Sequence, residues 1–327
     1  MSNNSNCRVL VTGSLAYDFI LTYPGKFQDH ILPDKLHMIN VSFLVDQVKK
    51  QRGGVAGNIA YTMALMGERA RILAAAGHDF EPYNEFLKAQ GVETGDIKLL
   101  DDEMTATCFI TTDMKHNQIT GFYTGAMSHA SELSVKDTLK GADYVIVSPD
   151  DPEAMKRHCQ EAKEAGATLI YDPSFQVLAM DGEFLWEGAR GAKALVLNDY
   201  EFAMFQEKTG KSIEELHQEI EVLVVTLGDQ GSRIMPRGQD EIRVQPCTVD
   251  KAVDPTGCGD AYRGGFLTGL VNDCSLLECG QLGSVASAFV VEKYGTQSHS
   301  YSKAELAARY KKVYGTLPAF LKEASLV

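Results

Sequence analysis

The stretch Asp254 to Phe266, DPTGCGDAYRGGF, sets four glycines and two aspartates ahead of the apolar residues LTGL. That is the pattern of a helix starting at a glycine-rich turn. Glycine is costly in regular structure and is tolerated where a backbone turns sharply or approaches something closely. Gly257 and Gly259 would let successive N–H groups point into one concavity at the positive end of the helix. Such a hole suits a phosphate whose charge grows during transfer. Asp260, one turn in, would lie beside it and could take a proton from an attacking hydroxyl. The plainer use of Asp260 is a carboxylate at the positive end of a helix. No Gly-Lys-Ser/Thr appears, so the string is not a Walker loop. A dinucleotide fingerprint would follow the first strand, so it is not that either.

A second glycine-rich string, RGGVAGNIAYTMALMG (Arg52–Gly67), places Gly53, Gly54 and Gly57 ahead of a helix whose first turn carries Asn58. Alone it reads as a capped, closely packed helix start. Ser14 and Asp18 sit just beyond the first predicted strand, where ligands of α/β proteins gather. The acidic turn PDDPE (Pro149–Glu153) reads as a solvated helix N-terminus rather than a metal site. The eight histidines show no metal spacing.

The elements that must position these residues follow from short apolar runs. CRVLVTGS, ADYVIVS (142–148), ATLIYDP (167–173), AKALVLN (192–198) and EVLVVTLG (221–228) predict strands. PEAMKRHCQEAKEAG and EFAMFQEKTG between them predict helices, the second stopping at Gly210. This alternation predicts an α/β class: a three-layer core around a mostly parallel sheet. The last third, from Gly257, reads as helical. Two segments break the rhythm: 35–46, and 104–125 as a hairpin turning near Lys115-His116-Asn117. Both predict antiparallel strands of a small lid sheet. The expected division is residues 1–15, 47–103 and 126–327 for the core, and 16–46 with 104–125 for the lid. A lid that closes would keep water from the reaction.

The chain has 327 residues, 44% hydrophobic and 23% charged, enough for one large domain with an inserted subdomain. A net charge of −13 argues against a nucleic-acid partner. It does not argue against a nucleotide, whose phosphates backbone amides can hold. The first residues carry no basic n-region, and no apolar run approaches the ~20 residues of a membrane span. Seven dispersed cysteines without C-x-x-C spacing read as free thiols. A cytoplasmic protein is therefore expected.

Taken together, DPTGCGD and RGGVAGN match the two signatures of the ribokinase (PfkB) family of carbohydrate and nucleoside kinases, and residues 9 to about 315 resemble it in motif order. VTGSLAYDFIL, FYTGAMS, NDYE and GTQ carry a closer likeness to bacterial adenosine kinases built like ribokinase. The resemblance implies ATP-dependent phosphorylation of the 5′-hydroxyl of adenosine, with Mg²⁺ and a monovalent cation such as K⁺. A sugar kinase, or an inosine or guanosine kinase, is the alternative; a non-catalytic nucleotide-binding protein is the rival of another class. Asp260 matches the family's base, and Gly257, Cys258 and Gly259 its anion hole. Asn198 and Glu201 match an N-x-x-E motif, in which Glu201 holds Mg²⁺ through water; the plainer use of the string is a helix cap at Asn198 or Asp199. Thr226, Gly228 and Gly231 match a segment touching ATP. Asp18, Asn58 and the Gly54 backbone would hold the ribose hydroxyls beside Ser14. Phe122 would stack on a flat base. Where adenosine kinases carry an aromatic on the first hairpin strand, this chain has Cys108, and the expected glutamine pair is Phe175-Gln176. Phe175 could then stack on the base while Gln176 keeps one polar contact. A homodimer through the lid strands is also implied.

Overall fold

The computed structural model describes residues 7–30, 40–115, 117–139 and 141–322. The first third of the chain holds β1 (Val9–Thr12), β2 (Ala16–Thr22), β3 (Gln47–Gly53), α1 (Val55–Leu65), β4 (Ala70–Gly77), α2 (Glu81–Ala89) and β5 (Ile97–Leu100). Then come β6 (Ala106–Thr112), β7 (Gln118–Tyr123), α3 (Val135–Thr138), β8 (Tyr144–Val147), α4 (Pro152–Glu164) and β9 (Thr168–Tyr171). They are followed by α5 (Gly182–Ala189), β10 (Ala194–Asn198), α6 (Asp199–Thr209), α7 (Ile213–Glu219) and β11 (Val222–Thr226). The chain finishes with β12 (Ser232–Pro236), β13 (Ile242–Val244), α8 (Cys258–Val271), α9 (Leu276–Val291), α10 (Lys303–Tyr314) and α11 (Ala319–Lys322). All five predicted core strands form, α6 stops at Gly210 in the left-handed region (φ 66°), and the last third is helical as expected.

The large sheet has the order β13-β12-β11-β10-β9-β8-β1-β4-β5, parallel except for β12 and β13. β1 shows why its residues form such a strand. Val9 and Val11 pack on one face with Ile59 of α1 and Phe266 of α8, and Leu10 packs on the other with Met155 of α4. A strand buried on both faces reads as the unbroken apolar run VLVT. β1 lies between β4 and β8, the place in an open parallel sheet where a crevice opens beyond the strand ends.

The small sheet has the order β3-β2-β6-β7. β6 and β7 make the expected antiparallel hairpin. Its turn is held by Asp113, whose carboxylate accepts from the N–H groups of Lys115 (2.8 Å), Asn117 (2.9 Å) and Phe27 (3.0 Å); His116 lies outside the described residues. Three expectations are corrected. The strand expected at 35–46 is absent over 40–46, and 35–39 fall outside the described residues. Phe43 instead packs its ring 4.9 Å from those of Tyr23 and Phe27. The strand that pairs with β2 is β3, QVKKQRG, which the expected division placed in the core. It is an exposed edge strand, and lysines that protect an edge from further pairing also hide the apolar alternation. Further, β2 and β6 run parallel, so the sheet is not wholly antiparallel.

Register then does the positioning. Asp18 pairs with Cys108 and Cys108 with Phe122, so the three share a row across β2, β6 and β7. No helix among the described residues is long and apolar enough to cross a membrane.

Candidate active site

α1 and α8 both begin at one cavity, and glycine is required at each start. Gly54 has φ 87°, and a Cβ there would lie 2.5 Å from the Ser14 carbonyl oxygen. Gly257 has φ 81°, and a Cβ would lie 2.9 Å from Cγ2 of Thr296. The cavity, about 590 Å³, is the size of small-molecule sites. It is lined by Ser14, Asp18, Gly54, Asn58, Phe122, Phe175, Gln176, Gly257 and Asp260, all singled out from the sequence. Cys258, Gly259, Asn198, Glu201, Thr226, Gly228 and Gly231 do not border it.

Asp260, in the first turn of α8, accepts from Nδ2 of Asn58 at 2.7 Å. Nε2 of Gln297 donates to the Asn58 Oδ1 at 2.8 Å and also to the Tyr83 hydroxyl, which donates to the Gly53 carbonyl at 2.9 Å. Asn58, expected to hold ribose hydroxyls, is therefore committed first to orienting Asp260, with one N–H left over. Burial pushes the Asp260 pKa up; Arg263 and the Asn58 hydrogen bond oppose this, and Glu201 adds to it. A carboxylate of raised basicity accepts a proton more readily. Asp18 is pushed up to about 6 by burial, with Asp254 and Asp260 adding their repulsion.

The N–H groups of Gly257, Gly259 and Asp260 carry no partner within the described residues, as expected of a helix start. That of Cys258 differs from expectation: it donates to the Pro255 carbonyl at 3.1 Å, closing the turn. Burial pushes the Cys258 thiol up to about 12, so it is inert as a nucleophile. Asp254 clamps this loop, accepting from the N–H groups of Thr256 (2.9 Å) and Gly295 (3.0 Å).

On the other side of α8, Asn198 and Thr226 are register partners at the ends of β10 and β11. Asn198 and Glu201 form a reciprocal cap: the Glu201 N–H donates to Asn198 Oδ1 at 2.7 Å, and the Asn198 N–H to Glu201 Oε2 at 2.9 Å. The cap foreseen at Asn198 is real. Ser174 also donates to Glu201, at 3.1 Å. Gly228 is exposed, and Gly231 closes the turn into β12. Among the described residues no three His, Cys, Asp or Glu side chains converge as direct metal ligands. Glu201 is the carboxylate at this end of the sheet that could hold a cation through water, the usual manner of Mg²⁺.

Two side chains escaped the sequence reading. Arg263 is buried, with Nε 2.5 Å from Oδ2 of the fully buried Asp172 and Nη2 3.9 Å from Glu201. Its spacing from Asp260, three residues along one helix, was the available signal. Burial pushes Asp172 up to about 7 against the pull of Arg263. From the sequence, Asp150 reads as solvated with its acidic turn. Asp151 does cap α4, accepting from the Ala154 N–H at 3.1 Å, but Asp150 is 1% exposed and lines the cavity. It follows the end of β8, where the crevice opens. All seven cysteines are free thiols, as expected.

Comparison with known proteins bears directly on this geometry. Residues 8–304 match the family model described as pfkB family carbohydrate kinase. The nucleoside kinase of Methanothermobacter thermautotrophicus is 31% identical over 95% of this chain and 97% of its own length. The nucleoside kinase of Burkholderia thailandensis, solved in complex with ADP-inosine, superposes with a TM-score of 0.83 at 36% identity, covering 95% of this chain and 97% of that one. The adenosine kinase of Sinorhizobium meliloti gives a TM-score of 0.75 at 24% identity over 94% and 100%, a likeness of fold alone. The chain belongs to the pfkB family of carbohydrate kinases, and its large parallel sheet with a separate small sheet is the ribokinase-like fold of those neighbours.

Proposed function

We propose that this kinase transfers the γ-phosphoryl group of ATP to the 5′-hydroxyl of purine nucleosides, accepting inosine as well as adenosine. The observation that carries this is one cavity joining a diol-reading carboxylate, Asp18, to two aromatic faces, Phe122 and Phe175, and to Asp260 beside free helix amides. Relatives of 31% and 36% identity named nucleoside kinases, one with ADP-inosine bound, support the wider acceptor range. Adenosine alone has only the fold-level neighbour behind it. A free pentose or hexose would leave the aromatic faces without an occupant.

In this reading Asp18 accepts from the 2′- and 3′-hydroxyls, and the 5′-hydroxyl lies against Asp260. The 5′-oxygen–phosphorus bond forms as the bond from the γ-phosphorus to the bridging oxygen breaks. ADP leaves, and the proton passes to Asp260. The N–H groups of Gly257, Gly259 and Asp260 stabilise the charge on the transferring group. Mg²⁺, held through water by Glu201, would offset phosphate charge when bound. Thr226, Gly228 and Gly231 would lie along the nucleotide. Phe122 and Phe175 are 51% and 56% exposed, so closing the small sheet over them would exclude water. The opposite face of that sheet stacks Phe19 on Phe109 and exposes Phe109 and Tyr123, which favours pairing with a second copy. Light scattering at twice 35.8 kDa checks the dimer.

The test is a panel of adenosine, inosine, guanosine, ribose and fructose with ATP, scored by ADP release. Turnover of both purine nucleosides is expected. Turnover of free sugars alone would overturn the reading.

A further inference from the structure

One buried polar side chain in the cavity has no part in the transfer just described. Asp150 follows β8 and precedes the cap of α4, and it lines the cavity with Phe175 and Gln176. Its Oδ1 accepts from the Asp151 N–H at 2.8 Å, whereas its Oδ2 has no hydrogen-bond partner. A buried polar atom left unpaired is destabilising and calls for an explanation, and an arriving ligand is one. Gln176 donates its Nε2–H to the Asp150 carbonyl at 2.7 Å, tying this residue to the segment that carries Phe175. A flat ring stacked on Phe175 would thus occupy a cavity that Asp150 also lines.

We infer that Asp150 reads the base: its unpaired carboxyl oxygen meets the Watson–Crick edge of the purine and decides which purines are accepted. This rests on the nucleoside reading above and deepens it. The chemistry turns on protonation. Burial pushes Asp150 up to about 8; the hydrogen bond from the Asp151 N–H opposes this, and the charge of Asp151 adds to it. At neutral pH the group is a carboxylic acid, one donor and one acceptor. An acid pairs with adenine, giving O–H to N1 and accepting from the 6-amino group. It pairs equally with hypoxanthine, accepting from N1–H and giving O–H to O6. A carboxylate only accepts. It keeps N1–H of hypoxanthine, and N1–H with the 2-amino group of guanine, but it faces the lone pair of adenine N1. The neutral form therefore tolerates both purine classes, and the ionised form selects against adenine.

Other charged groups do not blur this. Asp151 caps α4, and Asp18 and Asp260 lie at the same cavity, where they act on every nucleoside alike. The segment Ser174–Leu178 carries no charge, Asp172 at the end of β9 is paired with Arg263, and His158 of α4 is held neutral by burial, at about 4.

The experiment measures kcat/KM for adenosine and inosine from pH 6.5 to 8.5, with the inosine values corrected for the N1 proton that hypoxanthine itself begins to lose at the top of that range. For a group titrating at about 8, the adenosine-to-inosine ratio should fall about fourfold across that range. Asp150→Asn, which offers a permanent donor and acceptor, should make the ratio independent of pH. Asp150→Ala should lower kcat/KM for both nucleosides about tenfold while leaving nucleotide affinity unchanged. A flat ratio in the unaltered protein, or an unchanged slope in Asp150→Asn, would overturn the inference while nucleoside turnover itself persists. Turnover of free sugars without any nucleoside would overturn the acceptor reading and this inference with it. The ratio in the unaltered protein decides the matter even if a variant fails to fold.

Discussion

The cavity proposed for the acceptor and the loop proposed for the phosphate meet at Asp260 but are made of different material. The cavity is built from side chains on distant segments: Asp18 on β2, Asn58 on α1, Phe122 on β7, Asp150 after β8 and Phe175 after β9. Two of its carboxyl groups are moved far from their ordinary range, Asp18 to about 6 and Asp150 to about 8. The phosphate side is mainly backbone: free amides at Gly257, Gly259 and Asp260, a reciprocal cap at Asn198 and Glu201, and turns at Gly228 and Gly231. Selection among similar acceptors requires buried polar side chains that are penalised when mispaired. Moving a phosphoryl group, the same for every acceptor, requires oriented dipoles and balanced charge. Changes in the first region should alter which molecule reacts; changes in the second should alter whether anything does.

The largest effect tests the junction. Asp260→Asn keeps the shape of the first turn of α8 and removes the base, so kcat should fall by about 10²–10⁴ with nucleotide affinity retained. Single-turnover kinetics beside nucleotide titration would measure it, and an equal loss in both would merge the two regions. Next comes the charge balance beneath the loop. Arg263→Met strips the cation from Asp172 and Glu201 and leaves Asp172 buried and unpaired. Breaking such a pair costs about 3–5 kcal/mol, readable by urea unfolding. Asp172 is already raised to about 7, so the folded protein holds its proton more tightly than the unfolded chain. Stability from this group is greatest at acid pH and is lost as pH rises through about 7. The variant should gain stability as pH falls from 7 to 5.5, when Asp172 takes up its proton; a variant whose stability does not rise on acidification would point to lost packing.

How much of this could be read in advance follows the same divide. DPTGCGD and RGGVAGN are local strings, and each encodes a helix start that the structure contains, at Gly257 and at Gly54. The core strands were legible because both faces of β1, β8 and β11 are buried, which leaves unbroken apolar runs. The cavity was legible only through the resemblance, since its residues meet by long-range register. The parallel pairing of β2 with β6 that lines Asp18 up with Cys108 spans 90 residues, and no local pattern announces it. Gln297 lies 239 residues from the Asn58 it orients. β3 was hidden by its lysines, and Asp150 by its acidic neighbours, because composition counts charge and not burial.

Within the cavity, charge should outweigh stacking. In its proposed role Asp18 acts as a carboxylate, and its pKa of about 6 means that this role is lost as pH falls through that value. KM for the nucleoside should rise between pH 7 and 5 while nucleotide affinity stays level. Asp18→Ala should raise KM about 10–100-fold at pH 7, the worth of hydrogen bonds to a charged group. Phe122→Ala should do less. The ring is half exposed without a ligand, so it has little burial to lose, and one stacking contact is worth about 0.5–1.5 kcal/mol. That is about a two- to tenfold rise in KM for purine nucleosides, with kcat untouched because Phe122 does not reach the reacting atoms. The small Cys108 beside it in the row leaves the base stacked by Phe122 from this sheet alone, so no second ring there would mask the loss. If Phe122→Ala lowered kcat and left KM alone, the small sheet would be setting turnover through closure, and the cavity would belong to the transfer machinery as much as to recognition.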